Sequence, residues 1–241
     1  MGDQLFEEWQ VYEKLVIHDY MDHRAFFNRL QAEIVERFEH PVAILDLGCG
    51  DLTPILPMLA NLSLRQYVGI DESDAALALA ARRLQALRAP GRLIKGDLLA
   101  SLAELEDSFD IILASFSLHH LADPADKRRT LEVARQHLAP QGFVALIDVF
   151  SAEAEPRDQY LERWIKHAEN RYLVLHADEK ELLFNHVRAR DFPVSKATFQ
   201  ALGRQAGLEG FAVLLEDRAR LNALVTFSLS PGETAVSTPI V

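Results

Sequence analysis

The chain has 241 residues, of which 49% are hydrophobic and 25% are charged, and its formal net charge is −11. This composition suits one globular domain with a sizeable core, and the acidic excess disfavours a nucleic-acid-binding surface. The single cysteine allows no disulfide within the chain, no apolar run has the length of a membrane span, and the first residues are acidic. The sequence therefore predicts a cytoplasmic protein that acts without nucleic acid or membrane as a partner.

Apolar segments alternate with helical patterns along the chain. Several apolar segments are nearly continuous, which is typical of parallel strands buried on both faces. Strands are predicted at residues 42–47, 67–71, 92–97, 109–116, 142–150, 210–217 and 222–230. Helices are predicted over residues 3–39 and 73–87, from Pro124 until Pro140 and Gly142 close the helix, and over roughly 153–206. Predicted N-caps are Ser73, Asp123 and Ser195.

This alternation predicts an α/β fold with a Rossmann-like, doubly wound sheet and a helical cap. We expect one domain over residues 1–241. Its expected parts are an N-terminal helical lid (1–40), a cofactor-binding core (41–150), a helical cap (151–208) and the final two strands (209–230). A cap of this size favours an enclosed pocket and a small-molecule partner, and the oligomeric state, monomer or homodimer, stays open.

The first predicted strand ends in a turn with two glycines, ILDLGCGDLTP, before a helix begins. Such a turn brings backbone close to a ligand at the carboxyl edge of the sheet. A dinucleotide fingerprint would require a third glycine where this chain has Thr53, and Asp51 places negative charge where a pyrophosphate would lie. Both departures weaken the prediction of a nicotinamide oxidoreductase.

Acidic residues lie at the ends of the first three predicted strands. Asp46 could hold a cationic group, and Asp71 is placed to accept hydrogen bonds from ribose hydroxyls. Asp97 could accept a hydrogen bond from an adenine amino group. A ligand with ribose, adenine, an ammonium and a carboxylate satisfies all three, and S-adenosylmethionine (SAM) is such a ligand.

Five segments together resemble the class I SAM-dependent methyltransferases. They are ILDLGCG, YVGIDES, KGDLL, FDIILASFSLHHL and HLAPQGFVALIDVF, in this order. The resemblance implies a seven-stranded sheet in the order 3-2-1-4-5-7-6 with an antiparallel seventh strand. It also implies in-line methyl transfer from SAM to a small molecule, leaving S-adenosylhomocysteine. The implied cofactor-binding residues are Asp46, Gly48, Cys49, Gly50, Asp71, Glu72, Asp97, Leu98, Ser115 and Phe116, with Cys49 as a small turn residue and not a nucleophile.

Two histidines, His119 and His120, follow the fourth predicted strand and could act as a general base or orient the acceptor. Alternatively, they cap the next helix or pack on the cofactor. Tyr20 and His23 are three residues apart on a predicted helix, so they could form part of a lid, or the helix could simply dock on the sheet. His186, Arg188 and Arg190, in the cap, could also face the pocket, where an arginine would suit an anionic acceptor. The histidines show no recognised metal-ligand spacing, so no metal site is predicted.

Two alternatives keep the same cofactor. Some enzymes of this fold carry out other SAM chemistry, including the synthesis of a carboxylated SAM derivative. A non-catalytic SAM-binding subunit is the second alternative, although the intact glycine turn and the three acids argue against a decayed site.

Overall fold

A sheet with helices on both faces forms the centre of the molecule. The computed structural model describes residues 2–87 and 90–230, with side chains described from residue 10 onward. The helices are α1 (Gly2–Ile17), α2 (His23–Arg37), α3 (Leu56–Asn61), α4 (Asp74–Leu84), α5 (Leu98–Ala103), α6 (Pro124–Gln136), α7 (Arg157–Arg171), α8 (Ala177–Arg190) and α9 (Lys196–Gln205). The strands are β1 (Val42–Leu47), β2 (Leu64–Asp71), β3 (Gly91–Lys95), β4 (Phe109–Ser115), β5 (Leu138–Ser151), β6 (Val194–Ser195), β7 (Gly210–Glu216) and β8 (Asn222–Ser228). A 3₁₀ turn occupies Leu118–His120.

The strand order is β3-β2-β1-β4-β5-β8-β7. Strands β1 to β5 pair in parallel, whereas β8 lies antiparallel between β5 and β7. The short strand β6 pairs with the end of β5 and adds to the seven expected strands. The predicted α/β fold is therefore confirmed, including its strand order and its antiparallel last strand.

Local sequence accounts for several of these elements. All six residues of β1 are buried, as expected for a strand covered on both faces. The side chain of Ser73 accepts a hydrogen bond from Ala76 N at 3.2 Å and so caps α4. Asp123 caps α6, which begins at Pro124, and Ser195 caps α9. These predicted caps are confirmed.

Three apolar clusters hold the fold together. One lies between one face of the sheet and helices α5, α6 and α9. A second lies between the other face and helices α2, α3 and α4. The third joins α1, α7 and α8 above the carboxyl end of the sheet, around Tyr160 and Trp164. Among the described helices, none combines the length and the apolar character needed to cross a bilayer.

The structure corrects two predictions about the helices. The helix expected over residues 3–39 is interrupted at residues 18–22, where Asp19 and Asp22 have φ angles of 53° and 55°. Aspartate tolerates this left-handed conformation, and Asp19 also accepts a hydrogen bond from Arg24 N at 3.1 Å. Helix α9, expected in the cap, instead lies on the sheet, because Phe199 and Leu202 are part of the cluster that also contains α6.

Candidate active site

The glycine turn after β1 forms one wall of the site. Gly48 and Gly50 have φ angles of 76° and 53°, a conformation that favours glycine. A Cβ on Gly48 would lie 2.7 Å from Ser117 Cβ, whereas a Cβ on Gly50 would meet nothing within 4 Å. The turn is anchored to β2, because Gly48 N donates to the Ile70 carbonyl at 2.8 Å. The side of Gly50 on which a Cβ would lie therefore faces open space, as a ligand cradle requires.

Asp71, at the end of β2, fixes the shape of this turn. Its Oδ2 accepts a hydrogen bond from Gly50 N at 2.8 Å, and its Oδ1 accepts one from Ser73 N at 2.9 Å. Each carboxylate oxygen retains a lone pair for a further donor. Asp71 and the adjacent Glu72 line the cavity described below. The position suits the hydroxyl-binding role predicted for Asp71.

Asp46 lies beneath the glycine turn and is only 2% exposed. Tyr67 Oη donates to its Oδ2 at 2.8 Å, while its Oδ1 is buried with no hydrogen-bond partner. Burial raises the pKa of Asp46 to about 7. The hydrogen bond from Tyr67 lowers this pKa and the charge of Asp71 raises it, but burial has the largest effect. A buried carboxylate oxygen without a donor is a suitable partner for a ligand ammonium, so the site fits the SAM amino group.

A cavity of about 470 Å³ extends from the glycine turn to the 3₁₀ turn. Helices α1 and α8 cover it, through Leu15 and Tyr12 on one side and Leu183 and His186 on the other. Burial and the carboxylates Asp51, Asp46 and Asp71 raise the pKa of the Tyr12 hydroxyl. The predicted residues that line the cavity are Gly48, Gly50, Asp71, Glu72, Ser115, Phe116, His120 and His186.

Four predicted cofactor residues are not among those that line this cavity: Asp46, which lies beneath the glycine turn, and Cys49, Asp97 and Leu98. Cys49 is buried with its Sγ against Gly69, and burial raises the pKa of its thiol, as suits a packing residue. Asp97 accepts a hydrogen bond from Ala100 N at 2.8 Å and caps α5. Leu98 packs on the first apolar cluster. The adenine-binding roles of Asp97 and Leu98 remain predictions.

The two adjacent histidines have different environments. His119 is buried, and its Nδ1 donates to Asp148 Oδ1 at 2.5 Å. Burial lowers the pKa of His119, but the carboxylates of Asp148 and Asp191 outweigh burial and raise it above the ordinary value. His120 is partly exposed in the cavity wall, and its Nδ1 donates to the Arg190 carbonyl at 3.1 Å. Burial of the imidazole and the neighbouring His119 lower the pKa of His120 to about 3.

Tyr20 and His23 do not share a helical face, and that prediction is wrong. Tyr20 lies in the break between α1 and α2, where its ring stacks on Tyr172 at 4.6 Å and its hydroxyl accepts from Val174 N. His23 begins α2 and is 3% exposed, and its ring centroid lies 5.0 Å from that of Phe116 in an edge-to-face arrangement. Burial lowers the pKa of His23 to about 4, which suits a neutral residue behind the cavity wall.

Sequence reasoning missed several residues that the fold brings to the site. Tyr12 belongs to the predicted lid, but no motif distinguished it from its neighbours. Asp51 was identified only as a negative charge in the turn. It is buried, and Arg83 Nη1 donates to both its Oδ2 (2.6 Å) and its carbonyl (2.8 Å). No local pattern connects that arginine of α4 with the glycine turn.

Comparisons with known proteins agree with this geometry. The family described as "Methyltransferase domain" matches residues 45–144. A probable methyltransferase, ltbC, of Aspergillus luteorubrus is 30% identical over 131 residues, which are 52% of this chain and 46% of that protein. The carboxy-S-adenosyl-L-methionine synthase of Yersinia enterocolitica is 30% identical over 184 residues, which are 73% of this chain and 66% of that protein. The chain thus spans about half to two thirds of the length of these relatives.

Solved structures show the same fold. A SAM-dependent methyltransferase from Clostridium acetobutylicum superposes with a TM-score of 0.62 at 13% identity, covering 94% of this chain and all (100%) of that one. DesVI from Streptomyces venezuelae superposes with a TM-score of 0.60 over 92% of this chain and 98% of its own. The fold, the glycine turn and the strand-end carboxylates are together those of a Rossmann-like protein. The chain carries a methyltransferase domain over residues 45–144, and SAM is the cofactor that this family and these relatives imply.

Proposed function

We propose that this protein transfers the methyl group of SAM to a small-molecule acceptor. One observation carries the proposal: the cavity begins at the glycine turn, passes the end of β4 and ends at His120, and helices α1 and α8 cover it. A covered cavity of about 470 Å³ offers room for small ligands and little access for a macromolecule.

The cofactor would be held by groups already arranged in the fold. The free Oδ1 of Asp46 would receive the methionine ammonium, and Asp71 with Glu72 would receive the ribose hydroxyls. Ser115 and Phe116, at the end of β4, would lie along the sulfonium. When bound, SAM supplies a methyl group already activated by the positive sulfur. The chain's own task is to align the acceptor with that methyl group and to exclude water.

His120 is the described residue best placed to meet the acceptor. It lines the cavity, and its hydrogen bond to the Arg190 carbonyl fixes the orientation of the ring. With a pKa near 3 the ring stays neutral at neutral pH, so it is a weak proton acceptor. We therefore assign His120 the role of orienting the acceptor. Any proton that the acceptor loses would pass to solvent or to another group. His119 would act through His120, because their ring centroids are 4.0 Å apart.

The synthesis of a carboxylated SAM derivative is the second candidate, favoured by the 30% identity to carboxy-S-adenosyl-L-methionine synthase. An enzyme with that product must hold an additional carboxylate, most simply with Arg or Lys. The described residues that line the cavity include neither, and their basic side chains are those of His120 and His186. This lining supports methyl transfer over carboxylate binding.

Calorimetry and mass spectrometry test the proposal. We expect the purified protein to bind SAM and S-adenosylhomocysteine but not NAD. With a panel of hydroxyl, amine and thiol acceptors, we expect it to convert SAM to S-adenosylhomocysteine and to form a methylated acceptor. Accumulation of a carboxylated SAM derivative would instead identify the second candidate. SAM binding without any turnover across the panel would support a non-catalytic subunit, and the absence of SAM binding would refute all three.

A further inference from the structure

A second cluster of chemically active side chains lies next to the cavity. His119 and His120 end the 3₁₀ turn after β4, and Asp191 follows the last residue of α8. His119 Nε2 lies 3.6 Å from Asp191 Oδ1, and His120 Nδ1 lies 3.8 Å from the same oxygen. One ligand atom from each of the three residues lies within 4.8 Å of the other two. These separations are close to those between ligands that share one metal ion.

One oxygen of the Asp191 carboxylate lacks a hydrogen-bond donor. Asp191 is 4% exposed, and its Oδ1 is buried without a hydrogen-bond partner among the described residues. The two histidine nitrogens are too far from this oxygen for hydrogen bonds. A buried, unsatisfied carboxylate oxygen is costly, and a cation between Asp191 and the histidines would remove that cost.

His119 is held in the orientation that a metal ligand requires. Asp148 is fully buried, and its carboxylate accepts from both His119 Nδ1 (2.5 Å) and His119 N (3.1 Å). The proton therefore lies on Nδ1, and Nε2 is directed towards Asp191. A carboxylate that orients a histidine through its other ring nitrogen is the usual outer shell of a protein-bound metal.

Charged side chains of both signs surround the cluster. Asp148 and Asp191 are two buried carboxylates. The described lysine near them, Lys127, is fully buried and donates from Nζ to the Leu118 carbonyl at 2.5 Å. Arg157 places a second positive charge near Asp191, so geometry and not a charge deficit distinguishes this cluster.

We propose that His119, His120 and Asp191 form a site for a divalent transition metal, with zinc as the ion that fits best. Two imidazoles and one carboxylate are the donors of zinc sites that keep an open coordination position. On binding the ion, His120 Nδ1 would release its proton and its hydrogen bond to the Arg190 carbonyl. Because His120 lines the cavity, the open position would face the acceptor. There the ion would hold an acceptor oxygen or sulfur and lower its pKa, a step that rests on the proposed methyl transfer.

Titration of the metal-free protein tests the site without any catalysis. The chain is treated with a chelator, the chelator is removed, and Co²⁺ is added while the visible spectrum is recorded. We expect uptake of about one Co²⁺ per chain with the intense absorption of a four- or five-coordinate ion, and displacement by Zn²⁺. A spectrum identical to that of the aqueous ion would overturn the proposal, and this wild-type result decides the question even if variants fail to fold.

Variants locate the ion. Asp191→Asn keeps the shape of the ligand but removes its charge, and we expect it to weaken Zn²⁺ binding by at least about tenfold. Asp158→Asn makes the same chemical change on an exposed residue of α7 and should bind like the wild type. Equal affinity in wild type and Asp191→Asn would refute the site. SAM calorimetry on the same metal-free protein tests the proposed function separately, so either proposal can fail alone.

Discussion

Replacement of Asp46 by asparagine tests the cofactor site most directly. Asn has the shape of Asp and can still accept the hydrogen bond from Tyr67, which now ends at Asp46 Oδ2 at 2.8 Å. It cannot form a charge-assisted bond with an ammonium. The substitution therefore removes the proposed interaction at the free Oδ1 and leaves the packing around this buried residue in place.

The expected loss follows from the type of bond removed. A hydrogen bond between charged groups contributes roughly 1.5–3 kcal/mol, which corresponds to about a 10- to 150-fold increase in the Kd for SAM. The low exposure of Asp46 favours the upper part of this range, because little water screens the pair. Below its pKa of about 7 the wild-type carboxyl is protonated, so wild-type affinity should rise as the pH increases through 7.

Calorimetry at pH 8 provides the measurement, with Glu39→Gln as the control. Glu39 is an exposed carboxylate between α2 and β1, at the opposite end of the strand from the cavity, and its removal should leave the Kd unchanged. If Asp46→Asn binds SAM as tightly as the wild type at pH 8, the ammonium does not lie at Asp46 and the orientation of the cofactor proposed above is wrong.

The same carboxyl predicts how stability depends on pH. Burial raises the pKa of Asp46 from 3.8 to about 7, so the folded chain keeps this proton at pH values where the unfolded chain has lost it. Protonated Asp46 therefore contributes less to stability as the pH rises from about 4 to about 7. Over this range the free energy of unfolding should fall by on the order of 4 kcal/mol at most. Urea unfolding of the ligand-free protein should show a smaller decline for Asp46→Asn than for the wild type, and equal declines would contradict the burial argument.

Two further predictions concern the turn itself. Gly48→Ala should lower the free energy of unfolding by about 2–4 kcal/mol, because a left-handed φ is combined with a clash against Ser117, whereas Gly50→Ala should cost only about 1 kcal/mol. Arg83→Ala should lower the free energy of unfolding by about 2–3 kcal/mol, because it leaves the buried carboxylate of Asp51 without its cation. The loss should be smaller than for a fully buried pair, because the arginine is partly exposed. Denaturant unfolding measures all three.

Matched controls make these results decisive. Arg82→Ala changes an exposed neighbour on α4 and should alter stability by no more than about 0.5 kcal/mol. An equal effect of the two arginine substitutions would show that the contact with Asp51 contributes nothing specific. Similarly, equal costs for the two glycine substitutions would show that Ser117 gives way to the added methyl group.

Sequence reasoning was most successful where neighbouring residues decide the structure. The continuous apolar segment at 42–47 predicted a strand buried on both faces, and β1 is one. The hydrogen-bonding side chains of Ser73 and Asp123 predicted the starts of α4 and α6, because an N-cap acts on amides only two or three positions away. The sequence also placed the carboxylates at the ends of β1 and β2 at the carboxyl edge of the sheet, because parallel strands end at the same edge.

Packing of distant segments decided the rest. The pairs Tyr67 with Asp46 and Arg83 with Asp51 join residues 21 and 32 positions apart, and no periodic pattern connects them. Asp191 approaches His119 only because α8 folds back over the end of β4. By itself, the sequence determined the elements, their order and the chemistry at the strand ends, which depend on short-range bonds. The tertiary structure alone decided which charges meet in the interior and which helix covers the cavity, because those contacts form between segments far apart in the chain.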